Sequence, residues 1–366
     1  MKPEEIRKES QDKIEGLEMP ESIRTPGRTW TRYPDDIQEK ITSSESIEAD
    51  VESEGDVEVF TGDEALDKAG IKAFNLIKTD ENKLNAIHAA NINSLIYAEA
   101  SGDSELHIEY SENRPVMSHL IVRANDNADV TVTEETESQE FNTSFTEIYI
   151  GENASVEYGA VEKPENFSYS RRKAIAKKYG SINWLNGMFG GDLNRTKIET
   201  VLKGDNSESE MTGVWYPIGE QHHDISLQVR HIGDNTKCDM DSRSVVDNKA
   251  RSLYEGLQKV ETSAVDTSSF QDQETLMLSK NAESDASPKL MIEDPNVEAS
   301  HAAAAGTVEK DKQHYLESRG LTNEKAERLV VKGFFEPVMG EIKVPRVKES
   351  IRAEVQRKLD EKEQET

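Results

Sequence analysis

Two residues of metal-binding type stand out from a chain that is otherwise rich in carboxylates. His301 stands immediately before four alanines in the stretch "EASHAAAAG", and Cys238 is the only cysteine. Neutral imidazole and thiolate are both good ligands for transition metals, and small neighbours leave room beside the ring. The alternatives are a histidine that forms hydrogen bonds at the end of a domain and a small buried cysteine.

A single cysteine restricts the chemistry that this chain can perform by itself. It excludes an internal disulfide, and it excludes a metal site built from several thiolates of one chain. A two-fold axis between two chains would double every ligand. A site that is shared by two subunits therefore stays open.

The composition narrows the classes of partner. Among 366 residues, 72 are acidic and 44 are basic, which gives a formal net charge of −28. Such a surface repels phosphate backbones, so we expect no nucleic acid partner. No stretch is long and apolar enough for a membrane span, and the start "MKPEEIRKES" lacks the apolar core of a signal peptide. We therefore expect a cytoplasmic protein that does not enter membranes.

The elements that must position these residues fall into three regions. Residues 1–92 form an acidic, partly helical N-terminal region, in which Pro34–Ile41 could be a short helix and Ser43–Glu58 looks like a solvated linker. Residues 309–366 carry helical spacing. The apolar positions of the last predicted helix recur every four residues, at Val347, Ile351, Val355 and Leu359.

Residues 93–308 read as a β-rich core. Short alternating runs such as "ELHIEY", "SHLIVRA" and "ISLQVRHIG" are separated by polar turns. Asparagine tolerates the left-handed backbone of tight corners, and five of these turns carry one, at positions 127, 153, 206, 235 and 248. A sandwich, a barrel or a solenoid fits this pattern, and the length favours a parallel β-helix. The basic stretch at 170–180, "SRRKAIAKKYG", is the exception because it favours a helix.

Several ordered blocks resemble the SufB/SufD family, the scaffold proteins of the SUF iron–sulfur cluster assembly system. The blocks are "GEQHHD" at 219–224, "RHIGDNTKCD" at 230–239, "LMLSKNAESDASPKLMIEDPNVEASHAAAAG" at 276–306 and "YLESRGLTNEKAERLVVKGFFEPV" at 315–338. Weaker matches lie upstream, in "LKGDNS" and "NKLNAIHAANI".

The resemblance implies a fold and a set of partners. The fold is mainly β, a right-handed parallel β-helix core with N-terminal and C-terminal α-helical regions. Two such chains pair through their β-helices, as a homodimer or a heterodimer, and each C-terminal helical domain docks on a SufC-type ABC ATPase. This chain has no "GxxxxGK[ST]" loop, so any nucleotide belongs to that partner. The implied role is assembly and not enzyme catalysis.

The resemblance also assigns candidate site residues. His301 occupies the position of a family histidine at the subunit interface, where a transient iron–sulfur cluster is built. Alignment places Thr200, Glu274 and Ala302 where SufB-type proteins carry two functional cysteines and a glutamate. Neither threonine nor glutamate can carry a persulfide, which argues against autonomous SufB-type persulfide transfer. The "QHxD" motif at 221–224 looks more SufD-like, although an archaeal-type SufB/D homodimer is equally compatible. Our hypothesis is that Cys238, His301 and Glu274 approach one shared interface site.

Four residues of the C-terminal helical region are candidates for ATPase docking: Phe334, Phe335, Pro337 and Val338. Two consecutive phenylalanines cannot both be buried by the apolar face of one helix, so one of them could reach a partner. The alternative is that both pack against the β-helix. For the whole chain, the alternative function is a carbohydrate-active β-helix enzyme that uses paired carboxylates.

Overall fold

The computed structural model describes residues 3–21, 24–25, 28–29, 31–34, 37, 41, 45–70, 74–308 and 310–365. The N-terminal region contains α1 (Pro3–Lys13), a 3₁₀ turn (Ile14–Gly16), β1 (Arg24–Thr25), β2 (Arg28–Thr29), β3 (Asp50–Thr61), α2 (Gly62–Ala69) and α3 (Lys83–Asn91). Its predicted linker is wrong from residue 50 onward, because β3 pairs antiparallel with the first solenoid strand over that length. Residues 43–44 and most of the helix predicted over 34–41 lie outside the described residues.

Fifteen strands then follow one another without an intervening helix. They are β4 (Ser94–Glu112), β5 (Val116–Ala124), β6 (Asp129–Ser138), β7 (Asn142–Ile150), β8 (Ser155–Pro164), β9 (Phe167–Ala176), β10 (Ser181–Met188), β11 (Leu193–Leu202), β12 (Glu208–Trp215), β13 (His222–His231), β14 (Lys237–Val246), β15 (Arg251–Val260), β16 (Thr267–Met277), β17 (Glu283–Ile292) and β18 (Val297–Thr307). From β5 to β16, each strand pairs in parallel with the strand two places further along the chain. The chain is therefore a parallel β-helix, as the sequence predicted.

The solenoid has two sheets, one of even-numbered and one of odd-numbered strands, joined through β4. Alternate side chains of each strand point into the space between the two sheets. That interior holds the large apolar core, including Trp184 and Trp215, which are fully buried. Because the pairing is in register, each inward position continues as a column through successive turns.

The corners depend on residues that accept unusual backbone conformations. All five asparagines that the sequence placed at turns have positive φ, between 55° and 66°. Gly204 is needed at its corner for a steric reason, since a Cβ there would lie 2.0 Å from the backbone nitrogen of Lys178 on the neighbouring turn. A Cβ at Gly233 would likewise lie 2.5 Å from the backbone carbonyl group of Gly204. The glycine of "LKGDN" and that of "IGDNT" therefore allow the turns to stack closely.

The basic stretch at 170–180 is not helical. Phe167–Ala176 forms β9, paired on both sides with β7 and β11, and Tyr179 takes a positive φ of 57° at the following corner. Local helix propensity loses here because both neighbouring strands offer a complete set of hydrogen bonds. A strand at this position keeps the ladder continuous.

Three helices follow the solenoid, and two of them pack on the outer face of its even-numbered strands. They are α4 (Lys310–Ser318), α5 (Asn323–Glu341) and α6 (Pro345–Glu365). The four predicted apolar positions of α6 are all buried. Gly159 and Gly187 make room for this helix, because a Cβ at either position would lie 2.2 Å from Val347 Cγ2 or 2.9 Å from Ile351 Cγ1.

The stacking role of Gly204 gives a test with a built-in contrast. We expect Gly204→Ala to lower the free energy of unfolding by about 1–3 kcal/mol, because the methyl group meets rigid backbone. Gly333 lies inside α5, and a Cβ added there would have no neighbouring atom within 4 Å. Gly333→Ala should therefore raise stability by about 0.5–1 kcal/mol. Denaturant unfolding measures both variants, and equal effects would contradict the stacking argument.

Candidate functional site

The two ends of the solenoid differ in how they are covered. At the start, β3 pairs with β4 and α2 packs beside it. At the far end, β17 pairs only with β15 and β18 only with β16 among the described strands. Most side chains of β18 are exposed, as are Met291 and Ile292 on β17. A long, flat and unpaired edge of this kind is a template for pairing with another chain.

His301 lies in the middle of this open edge. It follows Met240 and Gln271 in one inward-pointing column, and both of those residues are buried. His301 is exposed because no further turn stacks on β18. The flanking Ala302, Ala303, Ala304 and Ala305 are also exposed and leave the edge free of bulky side chains. The imidazole is therefore accessible where a second chain could pair.

The interior behind His301 is unusually polar. Gln271, Gln273 and Gln258 are almost fully buried, yet amide atoms of each find no hydrogen-bond partner among the described residues. Gln271 packs against Gly256, where a Cβ would lie 2.1 Å from its Nε2. Burying an unpaired amide costs about 1–3 kcal/mol. Sequence reasoning missed these glutamines, although their alternation with outward residues in "FQDQETL" was visible.

Cys238 points to the same interior but lies deeper. It belongs to the column Ser209, Cys238, Ser269 and Ala299, two positions along from the column of His301. Strands lie about 4.8 Å apart and rise about 3.3 Å per residue, so the Cα atoms of Cys238 and His301 are about 12 Å apart. The thiol is 3% exposed, and burial raises its pKa well above the usual range. It is held as a neutral thiol, which is a poor metal ligand.

Glu274 lies on the opposite face of its sheet. Gln271 and Gln273 on β16 point inward, so Glu274 points outward, where it pairs with the Arg243 guanidinium. Arg243 also lies 3.5 Å from Asp241 and packs over the Phe334 ring. The structure therefore brings Cys238 and His301 to one face and separates Glu274 from both. Within one chain these three residues do not form a common site.

The described residues offer no complete metal site of their own. No group of three or more His, Cys, Asp or Glu side chains in that part of the chain could hold one ion. Thr200 lies inside the solenoid and accepts a hydrogen bond from Trp184 Nε1 at 2.8 Å. Any metal chemistry at His301 therefore requires ligands from elsewhere.

The four docking candidates on α5 have different environments. Phe335 is 2% exposed and Val338 is fully buried, both in the core between the helices and the even-numbered strands. Phe334 is half-buried against Arg243, and Pro337 is exposed. Tyr315 on α4 and Leu329 on α5 are large apolar side chains that are more than half exposed. None of the described helices has the length and apolar character that crossing a bilayer requires.

Comparison with known proteins connects this architecture to a family. The family model "SUF system FeS cluster assembly, SufBD core domain" matches residues 107–334. The iron-sulfur cluster assembly protein SufD of Bacillus subtilis is 31% identical over 299 residues, which covers 77% of this chain and 68% of that protein.

More distant relatives carry the same family name. A SufBD family protein of Mycobacterium tuberculosis is 27% identical over 56% of this chain but only 24% of its own length. One from Staphylococcus epidermidis is 25% identical over 63% of this chain and 51% of its own length. The matched region runs from within β4, the first solenoid strand, into α5, so that it includes His301 and the whole open edge. This chain belongs to the SufBD family of iron–sulfur cluster assembly proteins.

Proposed function

We propose that this chain is a scaffold subunit that pairs with a second SufBD-family chain through β17 and β18, and that the joint holds an iron–sulfur cluster during assembly. The observation that carries the proposal is the open end of the solenoid, where an accessible histidine lies on an unpaired edge. Pairing would satisfy the free backbone groups of β18 and cover the apolar tip of β17. The resemblance to SufD of Bacillus subtilis favours a SufD-like role.

His301 is the ligand that this chain would contribute to the joint. Its imidazole is accessible, whereas Cys238 is buried about two turns away as a neutral thiol. The remaining ligands would come from the partner or from the cluster's own sulfides. The unpaired glutamine amides behind His301 could also gain partners when the end is covered. The carbohydrate-active alternative relied on the fold class, and family membership now favours assembly.

A SufC-type ATPase would dock on the exposed face of α4 and α5. Tyr315 and Leu329 lie on that face, more than half exposed. Phe335 and Val338 instead hold α5 against the solenoid, so a force applied to α5 would be transmitted directly to the even-numbered strands. Lys362 on α6 connects both helices to the solenoid, because its ammonium lies 2.6 Å from the buried carboxylate of Asp247 and 2.5 Å from Glu327 on α5. The arrangement suits a coupling between ATPase movement and the open end.

Charging the tip of β17 tests the pairing. We expect the double variant Met291→Lys, Ile292→Lys to fold normally and to weaken pairing by at least about 2 kcal/mol, roughly 30-fold in Kd. Val265→Lys is the control, because Val265 is an exposed apolar residue at a corner. Sedimentation of the chain alone and with a SufB-type partner measures the effect. Unchanged pairing in both mixtures would refute the proposed interface.

Removing the two candidate ligands one at a time tests the cluster site. After anaerobic reconstitution of the paired complex with iron and sulfide, His301→Ala should lose most of the visible cluster absorbance. Cys238→Ala should retain it, because the buried thiol does not reach the joint. His314→Ala serves as a control for removing an exposed imidazole. Loss of absorbance in Cys238→Ala with retention in His301→Ala would reverse the assignment.

Placing a charge on α5 tests the docking face. We expect Leu329→Asp to abolish co-purification with the ATPase while the thermal unfolding of the chain stays unchanged. Phe335→Ala should instead destabilise the chain by about 3–5 kcal/mol, since it empties a buried site. Val265→Asp is the surface control. ATPase binding that survives Leu329→Asp would place the docking surface elsewhere.

A further inference from the structure

The basic stretch at 170–180, which overlaps β9, has no part in the proposed assembly site. In a chain with net charge −28, five of the eight residues from 171 to 178 are arginine or lysine. Arg172 points into the solenoid and pairs with buried Glu162 at 2.5 Å. Lys177 and Lys178 instead stand exposed at the corner that follows β9. Arg171 is buried as well, so the exposed positive charge of this stretch lies mainly at Lys177 and Lys178.

A cleft of about 320 Å³ lies at this corner, on the outer face of the odd-numbered strands. Neighbouring turns form its apolar floor, which includes the outward-facing Tyr149 and Ile175. Asn75 and Leu76, from the loop before α3, border one side. That loop is fixed in place, because the Glu147 carboxylate accepts hydrogen bonds from the backbone N–H groups of residues 75–77. The cleft is therefore built on rigid elements.

Three cationic side chains surround the cleft: Arg123, Lys177 and Lys203. Lys177 and Lys203 follow consecutive strands of one sheet, since their N–H groups donate to Ile150 and Ala176 in the same ladder. Their Cα atoms are therefore about 5 Å apart, and both ammonium groups can reach one anion. Arg123 lies in the same register column as Tyr149 and Ile175. The positive charges thus lie along one edge of an apolar floor.

Carboxylates near the cleft only partly offset these charges. Asp126 is the one carboxylate among the lining residues, and its Oδ1 already accepts the Glu152 N–H at 2.8 Å and faces Lys177 at 3.4 Å. Glu99 lies 3.7 Å from Arg123 outside the lining. Lys203 has no carboxylate within 4 Å among the described residues. The lining therefore carries a positive excess, in contrast to the chain as a whole.

We propose that this cleft binds a small anion with a planar, apolar body, such as a nucleoside phosphate or an aromatic carboxylate. The planar body would lie on Tyr149 and Ile175, and the anionic group would contact Lys177 and Lys203. A volume of about 320 Å³ is within the range of small-molecule sites. A polyanion such as RNA fits poorly, because the acidic surface beyond the cleft repels an extended phosphate backbone.

Calorimetric titration of the full chain at low salt tests this site. The two probes are adenosine monophosphate, whose anionic group is a phosphate, and phthalate, whose anionic groups are carboxylates. Two further probes each lack one half of the ligand: inorganic phosphate has no planar body, and adenosine has no anionic group. We expect one of the first two to bind more tightly than either half-ligand, and its affinity to fall as salt is added.

Matched lysine variants locate the binding. Lys203→Gln and Lys177→Gln should each weaken the binding probe about tenfold, as expected when one charge-assisted hydrogen bond is lost. Lys249→Gln is the control, because Lys249 is an exposed corner lysine that pairs with Glu220 elsewhere on the solenoid. Thermal unfolding of each variant confirms that it is folded. The proposal is overturned if neither probe binds, if inorganic phosphate binds as tightly as the better probe, or if Lys203→Gln matches wild type.

Discussion

The parallel stacking of successive turns is the constraint on which the other features depend. Each turn must repeat the path of the previous one, because its backbone groups bond to the turns on both sides. Corners therefore need residues that accept left-handed backbone or lack a side chain, which accounts for Asn206 and Gly204 in one short motif. The same repetition aligns inward positions into columns. The residues that continue these columns into the last turn therefore determine which side chains the open end of the solenoid presents.

Alternation across the sheet decides which candidates can act together. His301 and Cys238 share the inward face, and Glu274 lies on the outward face beside Arg243. His301 and Cys238 also lie at different depths. Two further turns cover the Cys238 thiol, whereas the His301 imidazole lies at the exposed end of the solenoid. An incomplete site on an unpaired edge is what a subunit interface requires.

The outer faces of the solenoid serve different purposes. Even-numbered strands carry the C-terminal helices, and small outward residues such as Gly159 allow α6 to approach closely. Odd-numbered strands carry exposed cations near the corner after β9, where the chain is locally positive despite its overall charge. The C-terminal helices and the open edge at β18 thus belong to the same even-numbered sheet.

The sequence by itself determined the fold class, the asparagine corners, the buried face of α6 and the family, because each depends on local periodicity or on ordered motifs. It failed where long-range pairing overrides local preference, at β3 and at the basic strand β9. Only the tertiary structure decided that Glu274 and His301 face apart, that Cys238 is buried, and that Phe335 and Val338 hold α5 to the solenoid. These facts depend on register and on which turn comes last, and residue types alone do not specify either.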